Sequence, residues 1–402
     1  MAFKANAPSG VSQREQFMRT KTYWIAYVVA LSWWLPLHAD TIRVGPAHEL
    51  KTPAAAASVV PSGSTLEIDA GVYEADVAVW TQDRLTLRAV GGRVLLKAKG
   101  ASAEGKAIWV MRGGQITVEG FDFSGTEVPD HNGAGIRLET GRLLVRNCRF
   151  IDNENGILTS NRPDVELDII DSEFAHNGYG DGQSHNLYVG AIARLSVTGS
   201  YFHHAVVGHL LKSRAAVNDI RYNRLVDEPG GRASYELEFP SGGVAYVVGN
   251  IIGQGARTEN PHVVSFGTEG YRWPKNALYL VHNTLINGKS QGGVFLRVKP
   301  GDVTVKAANN LLIGPGTLQS AGPGDYANNV TAKSDIFEPG PRDDYRIKSS
   351  TKFPGALADP GIADGITLQP QAQYTYPTGT APLTAKPHNP GAVQPVRSSR
   401  GR

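Results

Sequence analysis

The chain of 402 residues contains one cysteine, Cys148, which excludes an internal disulfide framework. A lone cysteine of this kind reads as a small apolar filler of a core rather than a reactive thiol. Charge is also scarce. Charged residues make up 19% of the chain and the net charge is +3, so there is no broad nucleic-acid footprint, although a local basic groove for an acidic polymer is compatible with it. Helical periodicity is confined to an alanine-rich stretch at 49–60. The apolar run at 23–37 is short for a membrane span. With Arg14, Arg19 and Lys21 before it and Leu37-His38-Ala39 after it, that run reads as a signal peptide over residues 1–39, starting at Met1 or Met18. The rival reading is an uncleaved anchor. The expected location is the periplasm or the exterior, with no stable membrane association after cleavage.

What is plentiful is glycine, 46 residues, and proline, 24, a composition that suits a turn-rich β protein. From Ile116 onward a repeat emerges. Short β-prone segments end in an apolar residue at 123, 150, 174, 202, 225, 252, 285 and 312, in steps of 27, 24, 28, 23, 27, 33 and 27. Two positions earlier stand Cys148, Ser172, Ser200, Asn223, Asn250, Asn283 and Asn310. A period in the twenties with strands alone predicts an all-β parallel solenoid. The leucine-rich consensus is absent, and a propeller blade needs a longer repeat. Polar side chains in the column are expected to hydrogen-bond from coil to coil, with Phe123, Phe150, Phe174 and Phe202 stacked inside. The expected domain map is a solenoid over 40–315, capped by the 49–60 helix, and an irregular proline-rich segment over 316–402 that packs on the solenoid and ends in disorder.

The repeat aligns three polar strands, at 185–190, 209–214 and 235–240, with offsets of 24 and 26. Strict strand alternation puts His185, Leu187 and Val189, His209, Leu211 and Ser213, and Tyr235, Leu237 and Phe239 inward. It puts Asn186, Tyr188, Leu210, Lys212, Arg214, Glu236 and Glu238 outward. Tyr188, Lys212 and Glu238 then form one row across three coils, with Arg214 beside Lys212. Arg137, Glu139, His262 and Glu269 extend this face, and loops 176–185, 227–233 and 253–262 are expected to wall it. The plain alternative is a ladder of ion pairs, Lys212 with Glu238 and Arg214 with Glu236, and satisfied core histidines at 185 and 209. His203 and His204 read as exposed loop residues.

With these features together, the chain resembles the right-handed parallel β-helix superfamily of pectate lyases, chondroitinase B-type and alginate lyases and NosD-like repeat proteins, over roughly residues 41–315. The resemblance implies an acidic, uronate-containing polysaccharide as partner and β-elimination as chemistry. It implies Lys212 as the base, Arg214 as neutraliser or acid, and Tyr188 as the alternative acid, with His209 in the catalytic set. Arg137, Asn186, His185, Glu236, Glu238 and His262 are the implied substrate contacts. Many members use calcium, for which Glu236 and Glu238 are the candidate ligands; no organic cofactor is implied, and a monomer is expected. The dense aspartate cluster of pectate lyases and the Asp-Pro-His motif of C5-epimerases are missing. The same groove leaves open a C5-epimerase, a glycoside hydrolase using Glu236 and Glu238 about 7 Å apart, or a non-catalytic glycan-binding solenoid.

Overall fold

The computed structural model describes residues 41–318, 324–340 and 345–394; the signal peptide expected over 1–39 lies outside them. A typical coil carries three short strands, as in Arg194–Thr198, Tyr201–His203 and His209–Ser213. Each pairs in parallel with its counterpart one coil away, so three flat faces wind around one apolar core. The third strands of successive coils form a ten-stranded sheet that runs along the solenoid from Ala78–Trp80 to Thr317–Leu318.

The turn between the first and second faces explains the polar column. The residue just before each column position has a left-handed backbone: Asn147, Asp171, Gly199, Tyr222, Gly249, His282, Asn309 and Asn328. That sharp bend turns the next side chain inward, where it must find partners. Ser200 N–H donates to Asn223 Oδ1, Asn223 to Asn250, Asn250 to Asn283 and Asn283 to Asn310, at 2.8–2.9 Å. Each asparagine Nδ2 also donates to a carbonyl of the preceding coil, as Asn223 does to Val197 at 2.8 Å. The expected ladder therefore forms, and it extends one coil further, to Asn329. Beside it, the rings of Phe123, Phe150, Phe174 and Phe202 stack face to face with centroids 4.6–4.9 Å apart. Cys148 is buried in the same column, and burial pushes its thiol up to about 12.

Two boundaries differ from the expectation. The helix is a single turn, Pro53–Ala57, because proline at its start and the break at Ser58 leave room for little more. Ala56 is its anchor in the core. The coiling also continues past residue 315: Gly324–Ala327 and Val330–Ala332 pair with Thr304–Ala308 and Leu311–Ile313. Beyond it, the segment 345–394 lies along the solenoid. Leu368 packs on Tyr246 and Val248, and Tyr374, Ala392 and Val393 pack on Val226 and Ile251. These contacts lie on the first two faces. Among the described residues no helix is long and apolar enough to cross a membrane.

Candidate active site

The outer side of the ten-stranded sheet carries the polar row. Register places Arg137 beside Leu158, Leu158 beside Tyr188, Tyr188 beside Lys212, Lys212 beside Glu238, Glu238 beside Ser265 and Ser265 beside Arg297. Neighbouring members stand about 4.8 Å apart along the solenoid. Inward from the row, Leu187, Leu211 and Leu237 are fully buried in the core. The row of Tyr188, Lys212 and Glu238 thus stands where alternation puts it.

Alternation fails one step earlier in each strand. Leu210 and Leu211 both point into the core, as do Val263 and Val264, and Phe295 and Leu296. Glycines fill the corresponding place at 135 and 156, where a Cβ would stand within 2.8 Å of Phe150 and Phe174. Two expectations change as a consequence. Asn186 and Glu236 are not on the groove. Asn186 lies inside, where its Oδ1 accepts from Asn177 N and its Nδ2 donates to the carbonyls of Phe174 and His203. Glu236 is fully buried, with Thr258 Oγ1 on one oxygen at 3.2 Å and no partner on the other. Burial, and then the nearby Asp227, raises its carboxyl well above the usual range.

The second change brings His209 to the outer side. Its Nε2 donates to Glu238 Oε2 at 2.8 Å. His185 lies behind it, accepting the His209 backbone N–H on Nδ1 at 3.0 Å. With Tyr235 and His262 these rings make a second row, with centroids 4.4, 4.9 and 6.2 Å apart. Burial lowers both His185 and His209, so both are neutral at neutral pH. Burial also lowers His262, with Arg297 adding to the shift. Glu238 takes Thr268 Oγ1 on its other oxygen at 2.7 Å. Burial favours its protonated form, but these hydrogen bonds and Lys212 outweigh burial and hold it below the usual range.

Glu236 and Glu238 therefore face opposite sides of one strand. They do not converge on a shared ion, so the calcium pair does not fit. For the same reason Glu236 and Glu238 do not form the carboxylate pair of a glycoside hydrolase.

Lys212 is the centre of what remains. Its side chain is 14% exposed, and its nearest carboxylate oxygens, on Glu269 and Glu238, stand 3.8 and 3.9 Å away. Burial lowers its pKa and Arg214 adds to the shift, while Glu238 and Glu269 oppose it. Arg214 does not pair with Glu236. Its Nε and one terminal nitrogen grip both oxygens of Glu269 at 3.0 and 2.6 Å, and the other terminal nitrogen donates to Tyr188 Oη at 2.7 Å. The Tyr188 oxygen is thus an acceptor toward Arg214, which leaves its own proton free to be given elsewhere. Arg137 lies on the same face two coils from Tyr188, with its Nε unpartnered. The three expected wall loops all precede strands of this sheet and so stand at one edge. The opposite edge is the 267–273 segment, tied down by Glu269 N–H on Pro240 O and Trp273 Nε1 on Arg214 O.

No family model matches the sequence, and no curated protein matches it either. Among solved structures, the pectate lyase Pel9A superposes with a TM-score of 0.53 at 11% identity, covering 78% of this chain and 91% of that one. A pectin methylesterase in complex with a hexasaccharide covers 57% of this chain and 80% of its own at 10% identity, and the product of ORF18 of Geobacillus virus E2 covers 69% and 56% at 15% identity. Their TM-scores, 0.34 and 0.36, are too low to bear on function or fold. What the chain shares with Pel9A is its architecture, the right-handed parallel β-helix fold.

Proposed function

We propose that this protein is an exported lyase that cleaves a uronate-containing polysaccharide by β-elimination on the outer side of the ten-stranded sheet. The observation that carries the reading is Lys212. It is a largely buried amine with no carboxylate at hydrogen-bond length, flanked by a guanidinium and a phenol.

The chemistry needs three groups. Neutral Lys212 takes the proton from C5 of the uronate, and the electron pair left behind forms the C4–C5 double bond as the C4–O bond breaks. Charge that builds on the uronate carboxylate needs a cation, and Arg214 offers a planar fork matched to it. Tyr188 gives its proton to the departing glycosidic oxygen. Glu269 at present fills the Arg214 fork, so a substrate carboxylate binds by displacing it. Arg137 suits the carboxylate of a neighbouring sugar. His209 touches Glu238 rather than the open face, so it acts as a positioning residue that holds the Glu238 carboxylate near Lys212.

The test offers purified protein a panel of uronate polymers and follows the ultraviolet absorbance of the unsaturated product. Wild type is expected to generate it on one of them. Lys212→Ala is expected to lose about 10²- to 10⁴-fold in turnover while retaining polymer binding. Unchanged turnover in that variant overturns the assignment of the base. Inverted C5 configuration without cleavage means an epimerase, and binding without any reaction means a glycan-binding solenoid.

A further inference from the structure

On a different edge of the molecule, at the turn that leads from the second face to the ten-stranded sheet, three imidazoles meet. His203 ends the Tyr201–His203 strand and His204 follows it. His176 occupies the same place one coil earlier, because Ala175 is the register partner of His203. His176 and His204 both have left-handed backbones, with φ of 56° and 48°. For histidine this is an uncommon conformation, and here it turns both rings to the same side, where they stack at 4.8 Å. One ring nitrogen from each of the three lies within 4.8 Å of the other two.

Their hydrogen bonding is incomplete as it stands. His203 Nε2 lies 3.2 Å from Glu173 Oε1. A carboxylate only accepts, so this contact takes a proton on Nε2, and in that tautomer Nδ1 is a bare lone pair. That lone pair points at His204 Nδ1 across 2.6 Å. A proton on His204 satisfies this one contact and leaves His176 out. A metal ion satisfies all three rings. The Glu173–His203 contact has the form of the outer carboxylate that orients a ligating imidazole. His176 also lines a cavity of about 540 Å³ whose wall includes His131, Asp152 and Glu154, which gives a cation an acidic approach.

We propose that His176, His203 and His204 bind one borderline divalent cation of the zinc, nickel or copper class, clamping two consecutive coils. Three nitrogen donors suit such ions and not calcium, and they leave a fourth position for water or another ligand. Tetrahedral geometry with bonds of about 2.0–2.1 Å needs nitrogens about 3.3 Å apart. His203 and His204 must therefore open by about 0.7 Å, within reach of side-chain rotation. This site is independent of the Lys212 face.

The experiment uses untagged, metal-stripped full-length protein. Zn²⁺ is titrated calorimetrically, Co²⁺ is followed by its visible ligand-field absorption, and the melting temperature is read with and without metal. One equivalent is expected to bind, with a four-coordinate Co²⁺ spectrum and a raised melting temperature. His176→Gln and His204→Gln are each expected to weaken binding at least about 10-fold, and Glu173→Gln about 10- to 100-fold. His48→Gln, remote and paired with Asp69, is the control expected to leave binding unchanged. His176 is exposed, so its variant remains readable if replacement at His204 disturbs folding. Absence of saturable binding overturns the proposal, and so does binding that survives in His176→Gln or is lost equally in His48→Gln.

Discussion

Replacing Asn250 by alanine tests what holds consecutive coils together. Asn250 is fully buried. Its Oδ1 accepts from Asn223 N at 2.9 Å and from Asn223 Nδ2 at 3.0 Å. Its Nδ2 donates to Ile220 O at 2.8 Å and to Asn283 Oδ1 at 3.0 Å. Alanine removes all four bonds. Asn283 Oδ1 keeps the backbone N–H of residue 250, and Asn223 Nδ2 keeps Val197 O. Two N–H groups of Asn223 are left without an acceptor in a site closed to water. At about 1–3 kcal/mol each, the expected loss is roughly 2–6 kcal/mol. Denaturant unfolding, followed by circular dichroism, measures it. Asn250→Asp separates hydrogen bonding from shape. It keeps both acceptor contacts but turns an oxygen toward Ile220 O and Asn283 Oδ1, so its carboxyl must be protonated to fit. Its folded pKa is raised, and the associated stability is present below the unfolded value of about 3.9 and lost as pH rises through the folded value. The aspartate variant should therefore approach wild type in acid and fall away toward neutrality. An alanine variant that loses less than about 1 kcal/mol, or an aspartate variant indifferent to pH, refutes the idea that the ladder holds the coils.

Three further outcomes follow from the groove and the core beneath it. The rate of elimination should rise with pH along a limb set by Lys212 and level off below the ordinary lysine value of about 10.4, because burial lowers its pKa and only the neutral amine accepts a proton; a limb at or above that value contradicts the role. Glu269→Gln should lower KM for the polymer, by freeing the Arg214 fork, and move the same limb to lower pH, by removing a carboxylate that favours the charged amine; if neither changes, Glu269 does not stand in for substrate. Glu236→Gln should flatten the dependence of stability on pH. The raised Glu236 pKa contributes stability that is full below the unfolded value of about 4.3 and is lost as pH rises toward the folded one, so the glutamine variant should gain on wild type from acid to neutral pH in paired melting curves.

Parts of this structure are plain in the sequence for a physical reason. The asparagine column is visible because each bend puts a polar side chain at one fixed distance from a core phenylalanine, leucine or isoleucine. The row of Tyr188, Lys212 and Glu238 is visible because the repeat offsets of 24 and 26 match the register. The sides taken by Asn186, His209 and Glu236 are less legible. Strict alternation assigns them to the wrong sides, since the first step of each strand turns two successive residues inward. A signal for this exists in the doublets Leu210-Leu211, Val263-Val264 and Phe295-Leu296, which recur at the repeat spacing and make no sense in an alternating strand. The Arg214–Glu269 clasp depends on how the 267–273 segment folds back, which strand patterning does not describe.

The ladder has a consequence for how this chain tolerates change. Every ladder asparagine bonds to the coil before it and the coil after it. The unit the molecule can lose, gain or duplicate is therefore a whole turn, from one column residue to the next. Removing a complete turn rejoins one asparagine to another of the same kind and leaves every contact above and below in phase. Deleting a single residue within a turn throws the column, the phenylalanine stack and the outer row out of step at once. Length variation among relatives of this protein should accordingly come in steps of one coil, or hide in the loops that leave the column untouched.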